Sequence, residues 1–209
     1  MARPQTQCVR NLQPLLYMKN REFVKNMQEI RERARKHLHQ GALTSHYQGD
    51  VKAAVRILNE ALATEIICTL RYTSHYFLAE GIHAESVRKE FREHANEEQE
   101  HAWMLAERIR QLGGSPDFHP GHALQNSHAE FKEGDTLVEL IEEDLVAERI
   151  AIETYREMAA HFSEYDPTTR RLIEEILQQE EKHAEEMAGL LSTLSPERKP
   201  VNPDRESAA

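Results

Sequence analysis

Four long segments of the chain share an apolar periodicity, and each is interrupted once, near its middle, by a glutamate. They are segments A (about residues 50–81), B (84–112), C (135–162) and D (166–194). Apolar residues recur in them at alternating steps of three and four positions, a spacing typical of helices packed in bundles. The interrupting residues are Glu65, Glu98, Glu148 and Glu180. The pattern predicts four long helices, each with one acidic side chain on its buried face.

The ends of these segments and the composition favour an all-α protein. Asp50 is a good N-cap for segment A, and Asp166-Pro167 puts an N-cap and a first-turn proline at the start of segment D. Gly81 and Gly113 follow segments A and B, as expected at helix C-termini. Only 6% of the residues are aromatic and 30% are charged, which suits helices better than a β-sandwich or barrel.

The lengths of the connections predict how the helices pack. Short links join A to B and C to D, so each pair should form an antiparallel hairpin. About twenty residues, rich in Gly, Pro, His and Ser, separate B from C. A link of that length can cross the molecule along a helix of about 42 Å and has room for one short helical turn. We therefore predict a four-helix bundle with a long B–C crossover.

The bundle, residues 49–194, is flanked by regions of different character. Residues 1–48 form an N-terminal extension with one predicted amphipathic helix, from about Asn20 to Gln40, and residues 195–209 form a tail predicted to be disordered. Residues 1–40 hold nine Lys or Arg and three Glu, about +6, so the rest of the chain carries about −16. An acidic body argues against nucleic-acid binding by the domain as a whole and is compatible with binding cations.

Compartment signals are sparse and favour the cytoplasm. No apolar run approaches the roughly 18 residues that a membrane span needs, so no membrane partner is expected. The first twenty residues lack the apolar region of a secretory signal. Cys8 and Cys68 are too few for a disulfide framework or a zinc knuckle. We expect a cytoplasmic protein.

A Glu-x-x-His motif occurs twice on the predicted buried faces, in segments B and D. Its two side chains lie one turn apart on the same face of a helix. The four mid-segment glutamates should lie at nearly the same height in the bundle, where isolated carboxylates would each cost several kcal/mol or take up a proton. Two divalent cations would neutralise four carboxylates, and an oxygen-rich set with one nitrogen per ion suits iron or manganese. The predicted metal ligands are Glu65, Glu98, His101, Glu148, Glu180 and His183.

Three further residues are predicted to lie beside this site. Tyr72 and Tyr155 each follow a mid-segment glutamate by seven residues, and each is either site-adjacent or an ordinary core tyrosine with a hydrogen-bonded hydroxyl. Asp144 lies one turn before Glu148 and is predicted to accept a hydrogen bond from the ring N–H of a ligand histidine. The glutamates that adjoin the motifs are expected to be solvated; they are Glu97, Glu100 and Glu181.

With these residues the chain resembles the ferritin-like di-iron carboxylate superfamily, and within it the bacterioferritins most closely. The resemblance rests on LNEALATEIICTLRY in A, EQEHA in B, EDLVAE in C and EEKHA in D, and covers about residues 50–192. It implies a ferritin-like bundle that binds two iron ions per subunit, with manganese as an alternative. By position, the implied roles are bridging ligands for Glu98 and Glu180, terminal carboxylates for Glu65 and Glu148, and nitrogen ligands for His101 and His183.

The sequence also departs from the bacterioferritin pattern. Gln99 stands where that family has its haem-binding methionine, so no haem is predicted. The residues after segment D are polar and do not form the family's apolar fifth helix, and the N-terminal helix is an addition. A short crossover helix would be a feature of the mini-ferritins, or Dps-like proteins. The resemblance implies a homo-oligomer, either a cage of 12 or 24 subunits or a smaller assembly.

Three functions are compatible with these observations. The resemblance implies a ferroxidase that oxidises Fe²⁺ to Fe³⁺ with O₂ or H₂O₂, for iron storage or detoxification. The same scaffold also carries rubrerythrin-like peroxidases, manganese catalases and other di-metal oxidases that form no storage cage, although this chain lacks a Cys-x-x-Cys electron-transfer module. A Dps-like, DNA-protecting binding protein that uses the basic N-terminal region is the third.

Overall fold

The computed structural model describes residues 26–194, and this part of the chain is helical and contains no strand. Its helices are α1 (Met27–Ala34), α2 (Val51–Leu78), α3 (Ala84–Gln111), α4 (Pro120–Asn126), α5 (Leu137–Phe162) and α6 (Pro167–Leu194). Because α2, α3, α5 and α6 coincide with segments A to D, the predicted all-α bundle is confirmed. Within residues 26–194, none of the helices is long and apolar enough to cross a bilayer.

Side-chain caps begin three of the four long helices, α2, α5 and α6. The Asp50 carboxylate accepts two backbone N–H groups from the first turn of α2, at 2.9 and 3.2 Å. The Asp166 carboxylate accepts a first-turn N–H of α6 at 2.9 Å. Helix α5 begins at Leu137 because Thr136 and Glu139 form a capping box. Such a cap contributes about 1 kcal/mol to helix stability and defines the residue at which the helix starts.

The long helices form two hairpins that pack face to face. Helix α2 packs along α3, and α5 packs along α6, while α2–α5 and α3–α6 contacts join the hairpins. The crossover between them contains α4, which lies on α2 with Ala123 buried against Ala63 and Ile67. The short crossover helix that the link length allowed is therefore present.

Two apolar clusters fill the bundle on either side of an acidic layer. Along each long helix, the buried glutamate separates the buried residues of one cluster from those of the other. Large members of the first cluster are Leu58, Leu105, Phe162 and Ile173, and members of the second include Phe91, Ile141 and Met187. Burying each such side chain stabilises the fold by about 1.5–3 kcal/mol. This packing sets the height at which the four glutamates meet.

The described part of the N-terminal extension differs from its prediction. Helix α1 ends at Ala34, well before Gln40, and a separate 3₁₀ turn spans Leu38–Gln40. Between them His37 has a left-handed φ of 54°, a conformation that a continuing right-handed helix cannot contain. No residue of α1 is buried in this chain. The start of the predicted helix and the predicted tail, residues 195–209, lie outside the described residues.

Candidate metal centre

The structure brings all six predicted ligands into one buried layer at the middle of the bundle. Each of them has at most 1% of its surface exposed. They come from all four long helices, with Glu65 on α2, Glu148 on α5, and a Glu-x-x-His pair on each of α3 and α6. Six ionisable side chains buried together are costly unless their charges are balanced within the layer.

These side chains form two ligand groups that share two members. In each group, one ligand atom from every residue lies within 4.8 Å of the others. The groups are Glu65, Glu98, His101 and Glu180 on one side, and Glu98, Glu148, Glu180 and His183 on the other. Only Glu98 and Glu180 belong to both, which is the arrangement required of carboxylates that bridge two neighbouring ions.

The histidines point Nδ1 into the layer. His101 Nδ1 lies 3.0 Å from Glu180 Oε1, and His183 Nδ1 lies 3.4 Å from Glu98 Oε1. Four buried atoms in this layer have no hydrogen-bond partner; they are Glu98 Oε1, both carboxylate oxygens of Glu180, and His183 Nδ1. Buried polar atoms left without a hydrogen bond are rare in folded proteins. Their convergence fits metal ligation, because a cation between them would accept all of their lone pairs.

Without metal, the layer balances its charge by redistributing protons. Burial, together with the carboxylates of Glu98 and Glu180, raises the pKa of Glu65 and of Glu148. Burial alone would raise the pKa of Glu98 too, but the His101 and His183 rings outweigh it and lower that pKa. The surrounding carboxylates likewise outweigh burial and raise the pKa of both histidines.

In the metal-free layer these directions favour the protonated forms of Glu65, Glu148, His101 and His183, and the carboxylate forms of Glu98 and Glu180. Sharing protons in this way lowers the net charge of the layer, because burial penalises uncompensated charge. Two divalent cations facing four carboxylates and two neutral imidazoles would sum to zero. Metal binding would therefore exchange protons for cations.

Tyr72 and Tyr155 contact the site across the bundle. The hydroxyl of Tyr72, on α2, donates to Glu148 on α5, and the hydroxyl of Tyr155, on α5, donates to Glu65 on α2. Each tyrosine therefore holds the carboxylate of the opposite hairpin, in a pseudo-two-fold pattern. These contacts place both residues beside the site, where each orients one of the two carboxylates that belong to a single ligand group.

The outward nitrogens of the two ligand histidines have different partners. His183 Nε2 donates to Glu97 at 2.6 Å, whereas His101 Nε2 donates to the side-chain oxygen of Gln179. Glu97 precedes Glu98 and Gln179 precedes Glu180, so the two positions are equivalent in the two hairpins. The expectation that Glu97 is simply solvated is wrong, because it is half-buried against the ring. Because Glu97 and Gln179 occupy equivalent positions in the two motifs, the sequence could have indicated that both contact the ligand histidines.

Asp144 is buried as predicted, but it does not contact a ligand histidine. Its carboxylate accepts from Arg71 Nε at 2.9 Å and from His75 Nδ1 at 2.9 Å. His75 Nε2 in turn donates to the backbone carbonyl of Lys132 at 2.8 Å, and Arg71 reaches the carbonyl of Glu130 at 3.2 Å. The predicted role is therefore corrected, because Asp144 ties α2 and α5 to the crossover. Both partners, Arg71 and His75, lie on the otherwise apolar side of α2, where the sequence pattern did not indicate them.

Replacing Asp144 with alanine should destabilise the metal-free protein by about 3–5 kcal/mol, because Arg71 and His75 would stay buried without their carboxylate. Chemical denaturation of the metal-free protein measures this change. Glu153→Ala is the matched control on the same helix, since Glu153 is 79% exposed, and it should change stability by less than about 0.5 kcal/mol. Equal effects of the two substitutions would contradict a structural role for the Arg71–Asp144–His75 network.

The comparisons with known proteins agree with this geometry. A family model described as the ferritin-like domain matches residues 55–196. The chain belongs to the ferritin-like family. The matched region contains all six residues of the buried layer together with Tyr72, Asp144 and Tyr155.

Relatives of this ferritin-like protein include nutrient stress-induced DNA-binding proteins and bacterioferritins. A nutrient stress-induced DNA-binding protein from Synechococcus sp. is 30% identical over 138 residues, which are 65% of this chain and 78% of the relative. A bacterioferritin from Rhodobacter capsulatus is 30% identical over 139 residues, 66% of this chain and 81% of the relative. Among solved structures, a dodecameric thioferritin, the bacterioferritin-related protein from Bacteroides fragilis, superposes with a TM-score of 0.68. It is 31% identical to this chain, and the match covers 71% of this chain and 89% of the thioferritin.

Proposed function

We propose that the protein is a ferroxidase that binds two Fe²⁺ ions as substrate in the buried layer and passes their electrons to O₂ or H₂O₂. The observation that carries the proposal is the pair of ligand groups that share Glu98 and Glu180. Carboxylates that belong to both groups would hold two ions close enough to react with one oxidant molecule. Unpaired ligand atoms in a dry layer support the same assignment, because a cation satisfies them.

The residues of the layer prepare the reaction in three ways. Four carboxylates and two imidazoles favour Fe³⁺ over Fe²⁺, because negative ligands stabilise the more highly charged ion. Burial excludes bulk water from the ions. Tyr72 and Tyr155 keep Glu148 and Glu65 in position by hydrogen bonds.

The electrons and protons of the proposed reaction balance with either oxidant. Two Fe²⁺ ions lose one electron each. O₂ takes up the two electrons and two protons to become H₂O₂, or H₂O₂ takes up the same number to become two molecules of water. The ferric product would then leave the layer for storage or release.

Binding two divalent ions should release about four protons per chain near neutral pH. Two come from Glu65 and Glu148, whose pKa values are raised, and two from His101 and His183, which are also held protonated. Affinity should therefore weaken steeply as the pH falls. Anaerobic calorimetry with Mn²⁺ in buffers of different ionisation enthalpy counts these protons. A release close to zero would contradict the proton exchange.

The two halves of the centre should bind metal unequally, because a carboxylate behind a ligand imidazole raises its basicity more than an amide does. Glu97→Gln should weaken metal binding on the His183 side by about ten- to a hundredfold. Gln179→Glu should strengthen the His101 side, and anaerobic Mn²⁺ titration measures both. If neither substitution shifts a binding constant, Glu97 and Gln179 do not affect the metal affinity of His183 and His101.

We also propose that the protein works as a homo-oligomer that stores iron. Large apolar side chains on the surface of the chain support assembly; among residues 26–194 they include Phe77 at 74% exposed, Ile82 at 94%, Trp103 at 64% and Leu124 at 65%. The thioferritin structure to which the chain is similar is dodecameric. DNA binding is not part of the proposal, since the chain beyond residue 40 carries about −16.

Aerobic loading of the full-length protein with Fe²⁺, followed by size-exclusion chromatography with light scattering and iron analysis, tests the whole proposal. A storing ferroxidase should give a large particle that retains far more than two iron ions per chain. A small oligomer that oxidises Fe²⁺ but retains about two ions per chain would instead indicate a di-metal oxidase or peroxidase without a cage. Failure to oxidise Fe²⁺ would reject the ferroxidase.

A further inference from the structure

A third cluster of potential metal ligands lies between α3 and α6, next to the dinuclear layer. It consists of Glu90 and His94, one turn apart on α3, and Glu186 on α6. One ligand atom of each lies within 4.8 Å of the others. Two carboxylate oxygens and an imidazole nitrogen, completed by water, are ligands that suit Fe²⁺, Mn²⁺ or Zn²⁺.

His94 distinguishes this cluster from an ordinary acidic patch. The side chain is 1% exposed, Nδ1 has no hydrogen-bond partner, and Nε2 lies 2.9 Å from Glu186 Oε2. The second oxygen of Glu186, Oε1, lies 3.5 Å from Lys182 Nζ. Within residues 26–194, no hydrogen bond or salt bridge joins Glu90 to another side chain, so this partly exposed carboxylate is open to a cation from solvent.

The cluster also adjoins the dinuclear layer directly. The rings of His94 and His183 stack, with centroids 4.0 Å apart and planes inclined by 23°. His94, Glu148 and His183 form a further group whose ligand atoms lie within 4.8 Å of one another. His94 therefore belongs to one group inside the layer and to one group outside it.

Exposure shows which of these groups solvent reaches first. The six residues of the layer are each at most 1% exposed, whereas the side chain of Glu186 is 33% exposed and Glu90 is also partly exposed. A cation from solvent can meet two carboxylates at the surface of the bundle before it meets any ligand of the layer. Negative side chains that line such an approach raise the local concentration of cations.

We infer that Glu90, His94 and Glu186 form a third divalent-cation site, which receives Fe²⁺ from solvent and passes it to the His183 side of the dinuclear layer. The inference rests on the proposed function for the identity of the cation and its destination. The site has no repeated motif in the sequence, and its third ligand lies on another helix, so the sequence did not indicate it.

Mn²⁺ is the probe, since it binds such ligands and stays divalent. Full-length protein should bind about three Mn²⁺ per chain in anaerobic equilibrium dialysis, and the Glu90→Gln/Glu186→Gln variant about two. Glu93→Gln is the matched control, because Glu93 lies on the same helix, is 53% exposed and pairs only with Lys89 among the described residues. It should bind about three. Anomalous diffraction from crystals soaked in Mn²⁺ would place the third ion among the three side chains.

The failures of the two proposals are distinguishable. Two Mn²⁺ ions in the layer and none at Glu90, His94 and Glu186 in the unaltered protein would overturn the outer site and leave the ferroxidase standing. An empty layer would reject the dinuclear centre itself. As a second readout, the Glu90→Gln/Glu186→Gln variant should oxidise limiting Fe²⁺ about tenfold more slowly than the control. Equal rates in the variant and the control would show that Fe²⁺ reaches the layer by another route.

Discussion

Replacing Glu98 with alanine should slow the proposed Fe²⁺ oxidation by more than about a hundredfold, because both ions would lose a ligand at once. Substituting a residue that only orients a metal ligand already costs about ten- to a hundredfold in activity. Glu98 belongs to both ligand groups, so its loss removes the shared carboxylate that would hold two ions together. Stopped-flow absorbance after mixing with O₂ or H₂O₂ measures the rate of ferric product formation.

Glu100→Ala is the matched control for this substitution. Glu100 lies two residues away on the same helix, but its side chain faces solvent, so oxidation should proceed at the unaltered rate. His183→Ala should also abolish rapid oxidation, although it removes the nitrogen ligand from one group only. If Glu98→Ala oxidises Fe²⁺ as fast as the unaltered protein, the buried layer is not the site of the reaction.

Metal removal should lower the thermal stability of the protein by about 10–20 °C. Each ion that binds only the folded state adds about 2.7 kcal/mol when its free concentration is a hundred times its dissociation constant, so two add about 5 kcal/mol. For a chain of this size, each kcal/mol moves the melting temperature by about 2–4 °C. Calorimetry with chelator and with Mn²⁺, which does not turn over, measures the difference without interference from oxidation.

The Glu98→Ala/Glu180→Ala variant provides the control for this effect. It lacks both shared carboxylates, so Mn²⁺ should shift its melting temperature far less. Without metal, the variant should be less stable than the metal-free unaltered protein, because His101 and His183 lose the carboxylates that face them and alanine leaves a cavity. If the unaltered protein melts at the same temperature with and without metal, the layer holds no ions in the folded state.

The helices and the residue types of the site were readable from the sequence because their signals are local. Apolar spacing of three and four residues defines the buried face of a helix within a few turns, and caps such as Asp50 and Asp166 act within one turn. A glutamate on that buried face is costly unless an opposite charge compensates it, and four glutamates at one height strengthen the case for bound cations. Packing of the four helices into a bundle is therefore enough to bring the predicted ligand residues together.

The partners of these residues were less predictable, because they depend on contacts between distant segments. Asp144 was expected to face a ligand histidine, yet it faces Arg71 and His75. Glu97 was expected to face solvent, yet it receives a hydrogen bond from His183, 86 residues away. Both outcomes follow from the rotation of one helix about its axis relative to its neighbour, which the sequence of a single helix does not specify.

The sequence alone thus determined four amphipathic helices, their order, the long crossover and the residue types of the buried carboxylate-histidine layer. Only the tertiary structure decided which ring nitrogen faces the layer, that Glu98 and Glu180 are shared by two groups, and that His94 joins the layer to Glu90 and Glu186. The physical reason is that periodicity defines which face of a helix is buried. The rotation and axial offset that bring two faces into contact arise from side-chain packing between all four helices.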